Sequence, residues 1–400
     1  MKVLFLTTSY PRYEEDDTSV FLKYLVASLL SAGINVEVIV PDDLSVVSSR
    51  RETEPFEVRR FRYGIFQSGK LAFGAGLLSN LRVNPLRILQ FPMLCLKMLQ
   101  TGYVASKNVD AIHAQWIIAA GVGAAIAHLR GLPLVITVHG SEMLLLRSRF
   151  LGFFVGRILS KADSIITVSE GFRKTLTERF PKLSSKIVCI PFGSDHFLNC
   201  EDSNIPTGLE NIIGDNKYLL AVGTLCPRKN QVNLLPILTH EGLLDSSLIL
   251  CGKTNDHAYV ESIGNRAKLL GLTDRVFIIG AQSPLVVAAL LKRCSLFVSA
   301  STFEGRPVAL LEALAAECLT LVSRIPAHME LIEDGINGFL FNLGDDPKSI
   351  ETSMVLFGDD SSKIKQNARN SVKNLNWDLC ASEYKKIYTS YSKLEESPLP

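Results

Sequence analysis

No stretch of this chain is apolar for long enough to read as a membrane span. The best candidate, Ala114 to Leu129, is interrupted by Gln115, Gly121, Gly123 and His128, and falls short of the roughly 20 apolar residues that a spanning helix needs. The start, MKVLFLTTSYPR, has too brief an apolar run for a signal-peptide core and reads as a first strand. The eight cysteines show no CxxC or Cys/His metal spacing. Cys189, Cys251 and Cys294 lie in or beside apolar runs, where a reduced thiol behaves as a small hydrophobe. A cytoplasmic protein is expected, free or at the inner face of the cytoplasmic membrane. No Walker loop, Gly-x-Ser-x-Gly elbow or HExxH motif occurs, and Gly121-Val-Gly123-Ala-Ala-Ile126 lacks the last small residue of a dinucleotide fingerprint. Hydride transfer, ATP hydrolysis and serine-hydrolase chemistry are disfavoured, and neither a metal ion nor a nucleic-acid partner is expected.

What is present is a regular alternation. Four hundred residues, 47% of them hydrophobic, suit two domains better than one. Apolar runs resembling buried parallel strands alternate with helical patterns, the signature of an α/β chain. In the first half they are Val3 to Leu6, Val36 to Val40, Ala111 to His113, Leu134 to Val138, Ser164 to Val168 and Ile187 to Ile190. In the second they are Tyr218 to Val222, Leu248 to Cys251, Val276 to Ile279, Leu296 to Ser299, Leu319 to Val322 and Gly338 to Phe341. The polar stretch from Asn199 to Asn216 reads as the linker. The expectation is two Rossmann-like, doubly wound domains, residues 1–198 and 215–375, facing each other with a ligand between the carboxyl ends of their strands. A tail, residues 376–400, has helical spacing and packs either on its own domain or back on the first.

The segment FEGRPVALLEALAAE, Phe303 to Glu317, places two carboxylates around a helix start. Pro307 suits a first helical position. The amides of Val308, Ala309 and Leu310, with the positive end of the helix dipole, then form an anion site. Glu304 precedes it and Glu312 lies five residues into the helix, so a diphosphate would rest on the amides with a sugar by Glu304 and a ribose by Glu312. Two solvated acids on an ordinary amphipathic helix is the other reading. Gly223 begins a turn that leads to Arg228 and Lys229, which either grip a diphosphate or decorate a solvated turn. His139, followed by Gly140, and His113 each close a strand, where open α/β sheets place their ligands.

Together these motifs resemble family 4 of the retaining glycosyltransferases, which have the GT-B fold. The matching pieces run over nearly the whole chain: TSYPRYEEDD, IHAQW, TVHGSE, ADSIITVSEGFRKTL, IPFGSD, AVGTLCPRKN, FEGRPVALLEALA and IPAHMELIEDGINGFLF. The resemblance implies metal-independent transfer of a sugar from a nucleotide-diphosphate donor with retention at the anomeric carbon. By that similarity His139, Glu304 and Lys229 serve the chemistry. Arg228 and Lys229 hold the diphosphate, Glu304 meets sugar hydroxyls, Glu312 holds the ribose, and the backbone of Gly305, Arg306, Pro307, Val308, Ala309 and Leu310 completes the cradle. The chain departs from the pattern in its first strand-to-helix loop, Glu14 to Ser19, which has no glycine; Thr18 or Ser19 is expected to cap the helix instead.

The acceptor side is read from charge. Residues 50–100 carry nine basic side chains against three acidic ones. Gly74 to Gln100 mixes Phe73 and Phe91 nearby, many leucines and two methionines with Arg82, Arg87 and Lys97, as a basic interfacial surface does. With His113, Arg82 and Arg87 are the acceptor-side candidates. The acceptor is expected to be a glycan or lipid-linked molecule of cell-envelope polysaccharide or lipopolysaccharide synthesis. A sugar-nucleotide epimerase of the same fold, or a non-catalytic sugar-nucleotide-binding protein, is the alternative.

Overall fold

The apolar runs form two all-parallel sheets in a computed structural model that describes residues 1–13, 16, 18–43, 54–64, 69, 71–72, 80–81, 84–140, 142–195, 205–214, 217–254, 256–345 and 361–392. The first sheet contains β1 (Lys2–Leu6), β2 (Asn35–Pro41), β3 (Glu57–Phe61), β4 (Ala111–Gln115), β5 (Leu134–Val138), β6 (Ser164–Thr167) and β7 (Ile187–Cys189). Their order is β3-β2-β1-β4-β5-β6-β7, so the winding reverses between β1 and β4. β4 and β5 are buried along their whole length. Helices cover both faces, which is why β5 reads as a nearly continuous apolar run, while β4 buries His113 and Gln115 after its apolar start.

β3 is the one strand of this sheet that the apolar pattern did not predict. It lies at the edge, paired only with β2, and its sequence EVRRF is charged, as edge strands are when they resist further pairing. Arg59 bonds Glu57 at 2.7 Å and reaches buried Glu37 on β2 at 2.9 Å.

Helix α1 (Val20–Ser31) buries Leu22, Leu25, Val26 and Leu29, and Gly33 ends it at a φ of 83°. Ser19 holds the cap position in left-handed backbone, with its hydroxyl on Ser9 and not on the helix. The Thr18 hydroxyl goes to buried Asp16, which also binds Arg12. The expected side-chain cap is therefore absent, because local polar partners take both hydroxyls. Helices α2 (Phe91–Ala105), α3 (Trp116–Arg130), α4 (Arg149–Leu159) and α5 (Glu170–Arg179) complete this unit's crossovers.

The second sheet contains β8 (Tyr218–Val222), β9 (Ser247–Cys251), β10 (Val276–Gly280), β11 (Leu296–Ser299), β12 (Thr320–Ser323) and β13 (Phe339–Phe341). Its order is β10-β9-β8-β11-β12-β13, with the reversal between β8 and β11. Helices α6 (His257–Leu269), α7 (Pro284–Arg293), α8 (Val308–Ala315) and α9 (Ser361–Val372) flank it.

The chain divides into Met1–Gly193 with Trp377–Pro400, and Ser194–Asn376. The division falls before the stretch expected as linker. Part of that stretch is a helix, Thr207–Ile213, and Ile205 and Ile213 join the second unit's core. The last helix, α10 (Trp377–Ser392), is built into the first unit. Tyr384 and Tyr388 are fully buried there, Lys385 Nζ donates to Ala32 O at 2.6 Å, and Tyr391 donates to Ser164 at 2.7 Å. Two buried tyrosine rings contribute about 2 kcal/mol each by area, provided their hydroxyls find partners.

Candidate functional site

In an open α/β sheet the crevice for a ligand opens outside the carboxyl ends of the strands, where the winding reverses. In the second unit that point lies between β8 and β11, and the loops leaving those two strands carry the charges. Gly223 follows β8 at a φ of 141°, a conformation that favours glycine, and a Cβ there would meet Lys229 Cε at 3.0 Å. Gly252, after β9, approaches still closer: a Cβ would lie 2.0 Å from Gly223 O. With both glycines in place the turn folds back, and Lys229 lies over Gly223. The β11 loop is tied to this turn by Thr302, whose N–H and hydroxyl both donate to Arg228 O, at 2.9 and 3.1 Å.

The tie aligns a charge cluster. Lys229 Nζ is 2.7 Å from Glu304 Oε1, and Arg228 Nη1 donates to Glu304 Oε2 at 2.9 Å and to Phe303 O at 2.8 Å. Buried Ser301 adds a bond to Oε1 at 2.7 Å. Burial pushes the Glu304 carboxyl up, but the charges of Lys229 and Arg228 outweigh it, and with the bonds from Lys229 and Ser301 they hold the group at about 2. The cluster is thus a fixed carboxylate with two cations, one excess positive charge at the mouth of the sheet. Three of the roughly four lone-pair positions of Glu304 are used inside the protein.

Helix α8 starts at the same edge. Its cap is Pro307, so the helix begins one residue later than the proline rule placed it. The Val308 N–H donates to Arg306 O and the Leu310 N–H to Pro307 O, both at 3.0 Å. Two of the three amides expected to be open are therefore engaged within the turn. Gly305 is half-buried before it, Arg306 is buried and bonds Glu330 at 3.0 Å, and Glu312 is buried on α8.

In the first unit the charges at the carboxyl edge are paired or tied to backbone, as in Arg12 with Asp16 and Asp43, and the ring that follows β5 is neutral. His139 follows β5, and its ring lies among Trp116 (centroids 4.4 Å apart), Phe21 (5.2 Å) and Phe192 (5.8 Å). Burial holds its pKa down at about 3, so the ring is neutral. Gln115 fixes its tautomer. The Gln115 Oε1 accepts from His139 Nε2 at 2.8 Å, while Gln115 Nε2 contacts His113 Nε2 at 3.2 Å. With its proton on Nε2, His139 keeps a lone pair on Nδ1, and that atom is buried with no partner among the described residues. Glu142 braces the loop, accepting from the N–H groups of His139 and Gly140 at 3.2 and 3.0 Å.

His113 does not share this role. β4 runs on to Gln115, so His113 is inside the sheet and not at its end. It is fully buried, with Nδ1 2.6 Å from the Tyr388 hydroxyl and Nε2 2.7 Å from Thr137 Oγ1. Burial and then the neighbouring His139 hold it at about 3. As an acceptor-side candidate it is corrected: no face of the ring is open to a ligand. Of the other two, Arg82 lies outside the described residues, and Arg87, half-buried, donates to Asn80 at 3.3 Å. Sequence reasoning missed Gly252, Ser301 and Gln115. Gly252 directly follows a predicted strand and Ser301 stands two residues after one, which was a usable signal; the role of Gln115 depends on two histidines, His113 and His139, far apart in sequence.

Two all-parallel sheet units, the second with a charge cluster at its switch point, have the architecture of a GT-B glycosyltransferase. Residues 209–373 match the profile of the glycosyl transferases group 1, and residues 18–196 match that of Glycosyltransferase Family 4. The chain belongs to this glycosyltransferase family. It is 23% identical over 293 residues to an uncharacterised glycosyltransferase of Methanocaldococcus jannaschii, spanning 72% of this chain and 78% of the relative. It is 25% identical over 288 residues to the Escherichia coli UDP-Gal:alpha-D-GlcNAc-diphosphoundecaprenol alpha-1,3-galactosyltransferase, spanning 67% and 72%. Its fold matches Anabaena HepE, solved in complex with UDP and glucose, at a TM-score of 0.74 and 20% identity over 98% of this chain and all of that one.

Proposed function

We propose that this glycosyltransferase moves a hexose from a uridine-diphosphate donor to a lipid-linked glycan of the cell envelope, with retention and without a metal ion. The observation that carries the reading is the Arg228, Lys229 and Glu304 cluster at the β8/β11 switch point, beside the start of α8. A diphosphate there meets two cations and a helix N-terminus, the countercharge for which other transferases use a divalent cation. Glu304 keeps both cations oriented and has one lone-pair position left for a sugar hydroxyl; Glu312 takes the ribose. The uridine and the lipid-linked acceptor are drawn from the names of the E. coli relative and the Anabaena structure.

In the reaction the bond from the anomeric carbon to the donor phosphate oxygen breaks, and the acceptor oxygen bonds that carbon from the same face. The acceptor proton passes to the departing diphosphate, so no side chain need be a strong base. Lys229 and Arg228 stabilise the charge that builds on the leaving group. His139, neutral and fixed by Gln115, offers its Nδ1 lone pair to a substrate hydroxyl. Calorimetry against UDP, GDP, ADP and their sugars tests the donor. Binding of UDP in the presence of EDTA is expected, followed by proton NMR of the product showing the donor's anomeric configuration; no binding of any nucleoside diphosphate would overturn the reading.

A further inference from the structure

Helix α4 is amphipathic the wrong way round for a surface helix in water. Its inner side, Gly152, Val155 and Leu159, is buried against the unit. At about 100° per residue, Phe150, Phe153, Phe154 and Arg157 share the opposite side. There Phe150 is 71% exposed, Phe153 63% and Phe154 49%, and Leu151 beside them is also exposed. The Phe154 ring meets those of Phe150 and Phe153 edge to face, with centroids 5.0 and 5.7 Å apart. Arg147, Arg149, Arg157 and Lys161 surround them, all exposed, and no acidic residue occurs from Met143 to Ala162. Contiguous exposed apolar patches are uncommon on soluble proteins and mark protein or membrane interaction sites.

We infer that this face of α4 docks on an anionic lipid bilayer, with the phenylalanines entering the interface and the four cations meeting lipid phosphates. Aromatic rings on a segment whose own charges are all cationic match such a surface in both polarity and charge. The fold gives the docking a direction. α4 crosses from β5 to the parallel strand β6, so it runs against the strands and its first turn, with Phe150, lies at their carboxyl edge. His139 leaves β5 at that same edge. A second exposed apolar group, Leu86, Leu89 and Met93, precedes or opens α2, which crosses from β3 to β4 and therefore starts at the same edge. A membrane against this edge presents a lipid-linked acceptor to it; the inference rests on the acceptor reading for this point only. The surface thus moves the expected membrane contact from residues 74–100 alone to α4.

Co-sedimentation with vesicles tests it. Wild-type protein is expected to pellet with phosphatidylcholine vesicles containing phosphatidylglycerol, less with phosphatidylcholine alone, and less as salt rises. The combined F150S/F153S/F154S variant is expected to lower the bound-to-free ratio at least about tenfold, and R147Q/R149Q/R157Q by about fivefold for each charge removed. Thermal melting and UDP calorimetry should be unchanged in both variants, since these side chains are exposed and lie in the other unit from the charge cluster. Wild type left in the supernatant at low salt, or a phenylalanine variant that pellets like wild type, would overturn the inference. So would a concentration-dependent dimer that the same substitutions dissolve in protein that ignores vesicles. Vesicle binding without UDP binding would instead sink the transferase reading and leave the docking surface standing.

Discussion

The carboxyl edges of the two sheets share an architecture and differ in electrostatics. In the second unit the loops after β8 and β11 bring Arg228, Lys229 and a carboxylate held at about 2 into one cluster. In the first, the groups at the end of β4 and just after β5 are an amide and a neutral imidazole among aromatic rings, with a second neutral imidazole behind them. On the proposed function the difference separates two tasks. A diphosphate needs countercharge, whose strength depends on the low dielectric and fixed geometry around it. A hydroxyl needs one well-aimed acceptor, and an imidazole that gained a proton would cease to be one.

The comparison breaks most visibly at Lys229. Lys229→Ala should reduce donor turnover by about 10²–10³-fold, the usual loss when one transition-state donor is removed, measured as donor consumption under saturating UDP-sugar. Unchanged turnover would remove the cluster from the chemistry. Acid separates the two edges next. His113 and His139 sit at about 3 in the fold against 6.5 when unperturbed, and His328 at about 4. As pH falls below 6.5 the unfolded chain takes up protons that the native state refuses, so stability declines by up to about 1.4 kcal/mol per pH unit for each histidine. Glu304, at about 2 against 4.5, adds a loss only below pH 4.5. Urea unfolding should therefore show declining stability between pH 6.5 and 4; a flat profile there would contradict the buried neutral histidines. Glu312→Ala comes third, with UDP affinity expected to fall about 10–100-fold in calorimetry, as for loss of a charged hydrogen bond.

The charged edge was the more legible of the two. Arg228, Lys229 and Glu304 each stand just after an apolar run, and the strand-end rule finds them without tertiary knowledge. Even so, their mutual salt bridges, across 75 residues or more, were not in the pattern. At the neutral edge His139 does follow its strand, as the apolar run suggested, whereas His113 lies inside β4 and not at its end, because the strand continues through two polar residues to Gln115. What encloses His113 comes from Tyr388, 275 residues away, and no local spacing announces that pairing. The same holds for β3: an edge strand carries charges, so apolar periodicity is silent about it. Helix α10 was placed only as far as its own helical spacing went, since an amphipathic stripe does not name the surface it will cover.

The smallest effect expected is at that distant tyrosine. Tyr388 closes a chain of contacts through His113 and Gln115 to His139. With Gln115 Nε2 donating to His113 Nε2, the His113 proton is on Nδ1 and donates to the Tyr388 hydroxyl, whose own titration burial pushes well up. Tyr388→Phe keeps the ring and its packing and deletes only this acceptor. It should cost about 1 kcal/mol of stability, and more if the Nδ1 proton is left unsatisfied. UDP binding in the second unit should not change. If the hydroxyl helps to fix the tautomers, turnover should drop a few-fold at constant UDP affinity, and Gln115→Leu, which removes the link directly, should drop it further. Equal turnover in wild type and both variants would show that His139 needs no support from the chain behind it, and would reduce α10 at Tyr388 to packing alone.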